Sequence, residues 1–446
     1  MDFLKNIFSE NKSKEAIIWN DNSFTYEWLL NRYLFWKNKI SSENILPGTV
    51  AVVEADFSPN SVALLLALIE SECIFVPITK STGLKRDSFI DIAQGEVLFK
   101  IDENDNVDIS KLKYAANHPI YEKLRSTRNP GLVLFSSGST GKSKASVHNV
   151  NDILDKFRIR RHSLRSITFL LYDHIGGFNT LFYILSNAGL VVTLKNRNPD
   201  QVLKYIEKHQ VELLPTSPTF INLILLSEAY KRHNIKSLKM ITYGTEPMPE
   251  HTLKRFTQLF PDIKMLQTYG LSEVGILRSK SKSSDSLWVK VGGEGFQTRI
   301  VDNMLQIKAK SAMLGYLNEA SPFTKDGWFK TNDIVETDGD YIKILGRQSE
   351  IINVGGEKVF PQEIENIMLG FKNIAEATVF GEKNPILGNI ICAKVKTKDL
   401  VDEKQFINEL KTYCRSNLKK HEVPIKIKLV EIPLHGSRFK KVRQNN

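Results

Sequence analysis

Ser136-Ser137-Gly138-Ser139-Thr140-Gly141-Lys142-Ser143-Lys144-Ala145 is the stretch of the chain most suited to chemistry. Its two glycines let backbone N–H groups turn toward a single anion. The hydroxyls of Ser136, Ser137, Ser139 and Thr140 add donors, and Lys142 and Lys144 add positive charge; such a loop holds phosphates. The apolar run Leu132-Val133-Leu134-Phe135 before it reads as a strand, so the loop starts at a strand's carboxyl end. Thr140-Gly141-Lys142-Ser143 also ends like the P-loop pattern G-x-x-x-x-G-K-[ST], whose first glycine would fall at Ser136.

The elements that must position this loop follow from the apolar periodicity. Strands are expected over 49–54, 132–135, 166–171, 190–194, 211–214, 238–243 and 263–267. Helices are expected over 59–70, 177–187, 199–209, 218–229 and 249–260. This alternation predicts an α/β fold, with parallel sheets covered by helices on both faces. Ligands of such sheets sit at the carboxyl ends of the strands, so the loops after Phe135, Tyr243 and Gln267 are the places to look. After about Trp288 the pattern changes to short strands with an Asp338-Gly339 turn. Pro361 then opens a helix with Ile364, Ile367 and Met368 on one face. Strands over 374–380 and 390–395 follow, then a helix presenting Phe406, Leu410, Tyr413 and Leu418. The expected organisation is a large N-terminal domain over 1–346 and a small α+β C-terminal domain over 347–446.

Composition bounds the class. The 446 residues are 41% apolar and 25% charged, which excludes a mainly disordered, collagen-like or coiled-coil chain. Three cysteines, Cys73, Cys392 and Cys414, support neither a disulfide framework nor a cysteine zinc site. The first ten residues lack an apolar stretch behind a basic leader. The longest apolar run, 62–69, is too short to span a bilayer. A cytoplasmic protein without a membrane span is expected. The net charge is +11, of which the last hundred residues carry +6 (18 Lys/Arg against 12 Asp/Glu). No nucleic-acid-binding motif accompanies that excess, so phosphate-bearing small ligands are the expected partners.

The phosphate loop resembles that of the adenylate-forming superfamily, which includes acyl-CoA synthetases, adenylation domains and luciferases. The family pattern is roughly [ST]-S-G-[ST]-T-G-x-P-K-G; here Ser143 replaces the proline and Ala145 the last glycine. Further matches follow in the family's order. Tyr269-Gly270-Leu271-Ser272-Glu273 resembles Y-G-x-[ST]-E, which implies a ring against adenine, a hydroxyl near the α-phosphate and, with Thr140, a carboxylate holding Mg²⁺. Base stacking and a hard oxygen ligand suit those tasks. Tyr243-Gly244-Thr245-Glu246 resembles the loop lining the adenine and acyl pocket, with Thr245 where a second glycine is common. Glu246 also reads as a cap for the helix after Pro249. Trp328-Phe329-Lys330-Thr331-Asn332-Asp333 resembles W-[FY]-x-T-G-D, so Asp333 would accept the ribose hydroxyls. Asn332 stands for the usual glycine and tolerates the same positive φ. Gly346-Arg347 resembles the hinge segment, with the arginine reaching ribose or phosphates. Asn353-Val354-Gly355-Gly356 and the residues to Glu365 resemble the segment lining a pantetheine tunnel. Asp173-His174-Ile175-Gly176-Gly177 resembles F-H-x-x-G, which places His174 at the mouth of the acyl pocket. Amino-acid adenylation domains carry an aspartate near that position. Lys440 and Arg443 keep the family's K-x-x-R spacing, with Phe439 in place of glycine; Lys441 and Arg438 are alternative holders of the role.

The resemblance implies an AMP-forming acid–thiol ligase. ATP and Mg²⁺ would activate a carboxylic acid as an acyl-adenylate, with Lys440, Thr140, Lys144, Glu273 and His174 as the catalytic set. CoA or a carrier protein's phosphopantetheine would accept the acyl group, as in fatty acid metabolism. The small domain would act as a mobile lid rotating about 348–350. A stand-alone amino-acid-adenylating domain, a non-catalytic nucleotide binder on the same fold and a P-loop NTPase remain as alternatives.

Overall fold

The computed structural model describes residues 1–137, 143–385 and 387–443. Two seven-stranded sheets make up most of the larger part. In the first, the order is Lys264–Gln267, Met240–Tyr243, Leu213–Thr216, Arg165–Ile167, Leu190–Val192, Glu15–Trp19 and Asn22–Thr25. All neighbours pair in parallel except the last two strands. In the second, Ile74–Ile78 lies between Gly131–Ser137 and Val50–Glu54, with Val97–Ile101 beyond, all parallel. Antiparallel strands close both of its edges.

One apolar cluster joins these sheets. It contains Ile17 and Val191 from the first, Ala51, Val53 and Leu132 from the second, and the helices Pro59–Glu70 and Ile175–Ser186 between them. Residues 59–69 of the former helix are all buried. A helix walled on both sides by sheets needs apolar residues all round, and that is why this stretch reads as an unbroken hydrophobic run. Gly177 permits the tight approach of the other helix. A Cβ there would lie 2.0 Å from the Leu171 carbonyl oxygen.

An antiparallel six-stranded sheet follows, from Arg278–Ser281 to Tyr341–Arg347. The smaller C-terminal domain packs a long hairpin, Ile374–Asn384 with Gly388–Thr397, and a parallel third strand, Lys426–Leu429, against the helices Pro361–Leu369 and Glu403–Asn417. The hairpin strands outrun the expected 374–380 and 390–395, because their ends alternate polar residues that do not mark a core. Among the described residues no helix is long and apolar enough to cross a membrane.

Candidate functional site

Four residues stand at the carboxyl ends of parallel strands. Thr79 follows Ile74–Ile78, Ser217 follows Leu213–Thr216, Gly244 follows Met240–Tyr243, and Thr268 follows Lys264–Gln267. Gly244 packs so closely on Thr268 that a Cβ would sit 2.6 Å from that residue's carbonyl oxygen. Gly270 is similarly confined, with 2.8 Å to the Gly275 carbonyl oxygen. Both glycines are thus required by backbone proximity alone.

Asp333 is 6% exposed. It accepts a short hydrogen bond from the Tyr269 hydroxyl and faces Arg347 Nε at 3.3 Å across the paired strands. Burial pushes its carboxyl pKa up, against the pull of Arg347. The Tyr269 ring is buried among Val274, Leu305 and Phe329. Asn332 holds φ +60°, so the asparagine performs the conformational task of the glycine it replaces. Its side chain is exposed, which leaves the backbone as its main contribution. Asn332→Ala should therefore lower the denaturation free energy by about 1 kcal/mol, with Asn332→Gly close to neutral; urea titration checks both.

Glu273 accepts from the Tyr316 hydroxyl at 2.7 Å, and Lys144 Nζ lies 5.5 Å from the centre of that tyrosine ring. Lys144 pairs with Ser136 across the hairpin. Asn318 clamps the loop's descending arm, accepting from Ala145 N at 3.0 Å and donating to the Ser143 carbonyl at 2.8 Å. Ser143 and Ala145, the two departures from the family pattern, are thus both tied to Asn318. Ser137 ends its strand, and Ser272 lies beside Glu273 in the next loop. Gly138, Ser139, Thr140, Gly141 and Lys142 lie outside the described residues.

The C-terminal tail supplies the remaining groups. Residues 434–442 fold back on themselves, with Gly436 N donating to the Lys440 carbonyl and Val442 N to that of Leu434. Side-chain contacts to several elements fix this hairpin. Arg438 donates to Asp173 Oδ2 at 2.7 Å, beside Thr79 at 3.0 Å. The Phe439 carbonyl accepts from Ser217 Oγ at 2.6 Å, while its ring packs on Phe169 and Phe220. Lys441 N donates to Glu246, whose other oxygen accepts from Thr219 N. Glu246 therefore caps the helix Pro218–Ser227, and not its own helix, Glu250–Leu259. Finally, Lys441 Nζ and Arg443 both pair with the fully buried Glu365 at 2.7 and 3.0 Å. Phe439 adopts φ +52°, the conformation for which a glycine would serve; here ring packing compensates.

Lys440 is left facing inward, without a carboxylate partner among the described residues; its Nζ lies 3.5 Å from His174 Nε2. His174 Nδ1 accepts the Gly176 N–H at 3.0 Å, capping its helix. That bond puts the imidazole proton on Nε2. Burial, with Lys440 and Arg438 nearby, holds the imidazole well below its usual pKa, and hence neutral. Two donors, Nε2–H and the ammonium, thus converge 3.5 Å apart. Burial lowers the Lys440 pKa to about 8; Glu246 opposes this, and Arg438 and Arg347 add to it. The charge of Arg347 acts on both Lys440 and Asp333.

Of the residues named from the sequence, Asp333 pairs with Arg347, and Lys440 lies beside His174. Sequence reasoning missed Tyr316, Asn318 and Thr79, which carry no motif of their own. It named Glu365 only as the end of a segment, although a glutamate on the apolar side of a helix beside Ile364 and Met368 is a signal that a buried cation pairs with it.

The fold is mixed α/β, with a large N-terminal and a smaller C-terminal domain, and the comparisons give the family. The family model of AMP-binding enzymes matches residues 5–305, and that of the AMP-binding enzyme C-terminal domain matches 363–438. The chain belongs to the AMP-binding enzyme family. It is 27% identical over 296 residues to an indoleacetate–CoA ligase of Aromatoleum aromaticum, covering 60% of this chain and 57% of the relative. It is 27% identical to a 2-succinylbenzoate–CoA ligase of Bacillus licheniformis, covering 71% and 70%. The chain thus spans a little over half the length of the first of these relatives. Among solved structures, an anthranilate CoA ligase in complex with anthranoyl-AMP superposes with a TM-score of 0.82 at 17% identity, covering 99% of this chain and 95% of the other. The o-succinylbenzoate CoA synthetase of Bacillus subtilis, in complex with its acyl-adenylate, gives 0.78 at 19%, covering 99% and 96%.

Proposed function

We propose that this chain activates a carboxylic acid with ATP, forming an acyl-adenylate and pyrophosphate, and then passes the acyl group to a thiol. The carrying observation is the pair of converging donors, His174 Nε2–H and the Lys440 ammonium, 3.5 Å apart. That pair is built for oxygen atoms bearing negative charge, which both reactants carry. The acid's carboxylate oxygen attacks the α-phosphorus, the bond to the bridging oxygen breaks, and pyrophosphate leaves with the electron pair. Lys440 and His174 hold the carboxylate and the charge that develops on the phosphoryl oxygens; positioning and neutralisation supply the rate. Asp333 accepts the ribose hydroxyls, and Arg347 lies within reach of ribose and phosphates. The loop 136–145 cradles the phosphates, and Gly244, Gly270 and Ser272 bring backbone and hydroxyl close to the nucleotide. Mg²⁺ fits the donor set: Glu273 offers a hard oxygen, and this ion takes one or two carboxylates besides phosphates and water. It would neutralise phosphate charge when bound.

The thiol is that of CoA or of a carrier protein's phosphopantetheine. For the second half-reaction the small domain, 347–446, turns about Gln348–Glu350 and withdraws Lys440, freeing the face of the acyl-adenylate that the thiol attacks. The deciding experiment is acid-dependent exchange of labelled pyrophosphate into ATP across fatty, aryl and amino acids, followed by thiol-dependent AMP release. Exchange with some acid is expected. ADP and phosphate release without acid would favour a P-loop NTPase, and ATP binding with neither reaction would favour a nucleotide sensor.

A further inference from the structure

Three buried polar side chains take no part in the chemistry above. Thr216, Tyr243 and Gln267 close three adjacent parallel strands and are direct register partners, Thr216 to Tyr243 and Tyr243 to Gln267. Register partners of a parallel pair point to the same face, so the three stand side by side. They are 1%, 1% and 6% exposed. The Thr216 hydroxyl, the Tyr243 hydroxyl and the Gln267 amide oxygen have no hydrogen-bond partner among the described residues. Leaving one buried polar atom unsatisfied costs about 1–3 kcal/mol, and fold stability alone gives no reason to place three in a row.

Each of the three precedes a residue of the site. Ser217 holds the Phe439 carbonyl next to Lys440, Gly244 leads to Glu246, and Thr268 leads to Tyr269. The row also borders the apolar cluster on which Phe439 rests. We infer that Thr216, Tyr243 and Gln267 form a recognition row for the body of the acid substrate, and that this acid carries hydroxyl, amine or amide groups in addition to its carboxylate. The chemistry of the row sets the class. The Gln267 oxygen only accepts, so the ligand must present an O–H or N–H there, whereas the two hydroxyls can donate or accept. Burial pushes the Tyr243 phenol's pKa up, so it stays protonated. A plain alkyl or aryl acid would leave the row as unsatisfied as it is without ligand. This inference rests on the ligase reading and names the substrate class of that site.

The test pairs acids of one carbon skeleton, with and without hydroxyl or amide groups, in pyrophosphate exchange. A site built to bond such groups rejects the bare analogue strongly, so kcat/KM should favour the polar member of the best pair by about 100-fold or more. Tyr243→Phe should cut that ratio about tenfold, as should Gln267→Leu and Thr216→Val. Equal rates within every pair, or a ratio indifferent to all three variants, would overturn the inference while leaving the ligase reading intact. A second measurement does not depend on activity. Without ligand the orphan hydroxyl is a cost, so Tyr243→Phe should hold or raise the melting temperature of the resting protein. A drop of several degrees would mean that the hydroxyl already has a partner, such as a bound water, and would overturn the inference even if no acid supported exchange.

Discussion

Lys440→Ala should abolish most acid-dependent pyrophosphate exchange, by about 10²–10³-fold, while ATP binding changes only a few-fold. Removing one preorganised donor costs that much, and the residues proposed to hold the nucleotide, Asp333, Arg347 and Glu273, remain. The pH profile gives a second signature. The free enzyme's Lys440 loses its proton near pH 8, so kcat/KM for adenylation should fall as the pH rises through about 8. In Lys440→Arg that alkaline limb should vanish, because a guanidinium does not titrate there, although the rate will be lower. Stability should move the other way from activity. A lysine whose folded pKa lies below its unfolded value makes the folded state bind fewer protons between about 8 and 10.5. Stability from this group therefore rises with pH across that window, and below it the buried charge is a cost. Lys440→Met should accordingly melt no lower than the parent at pH 7, which separates lost chemistry from lost folding. An exchange rate within threefold of the parent would remove Lys440 from the reaction.

The tail also shows what a sequence can and cannot disclose. The K-x-x-R spacing pointed to Lys440, with Lys441 and Arg438 as competitors. The three cannot be ranked by charge, because all are basic. The fold ranks them by partner: Arg438 is taken by Asp173, Lys441 by Glu365, and Lys440 alone faces the site unpaired among the described residues. Those partners lie 265 and 76 residues away, and no local pattern encodes such a pairing. Positions fixed by backbone geometry were more legible. Asn332 at positive φ follows from residue type and motif. Glu246 shows the limit of local rules. It has the composition and spacing of a helix cap, and it is one, but for a helix beginning near Pro218. Several strands of the parallel sheets could be read from continuous apolar runs, but Glu15–Trp19, Ile74–Ile78 and Val97–Ile101 were not among the expected strands. The first strand of the six-stranded antiparallel sheet, Arg278–Ser281, could not be read in this way, since Arg-Ser-Lys-Ser has no apolar signal and pairs with Val289–Gly292 beside it.

Glu365→Ala should destabilise the fold more than any of the substitutions above. The carboxylate is fully buried and holds two cations, Lys441 and Arg443, themselves only 18% and 19% exposed, while also accepting from Val379 N. Arg443 continues to Glu350 in the hinge segment at 2.7 Å. Removing the shared anion leaves two mostly buried cations short of a counter-charge, and breaking a buried pair in this way costs about 3–5 kcal/mol. The paired cations hold the Glu365 pKa down at about 2, against 4.5 unperturbed, and they outweigh desolvation, the largest single influence, which raises it. Between those values the unfolded chain binds the proton that the folded chain does not. The contribution is therefore complete above pH 4.5 and is lost as the pH falls toward 2; a displacement of this size corresponds to roughly 3 kcal/mol. Acid titration of the parent and of Glu365→Gln, followed by circular dichroism, should show the parent's steep loss of stability in that window and a flatter curve for the variant. Because Lys441 lies next to Lys440, the tail should also come loose at neutral pH. Glu365→Gln should therefore lower pyrophosphate exchange while sparing thiolysis of a supplied acyl-adenylate, a half-reaction in which the proposed mechanism gives Lys440 no part. Equal losses in both half-reactions would mean that Glu365 serves only the folding of the small domain.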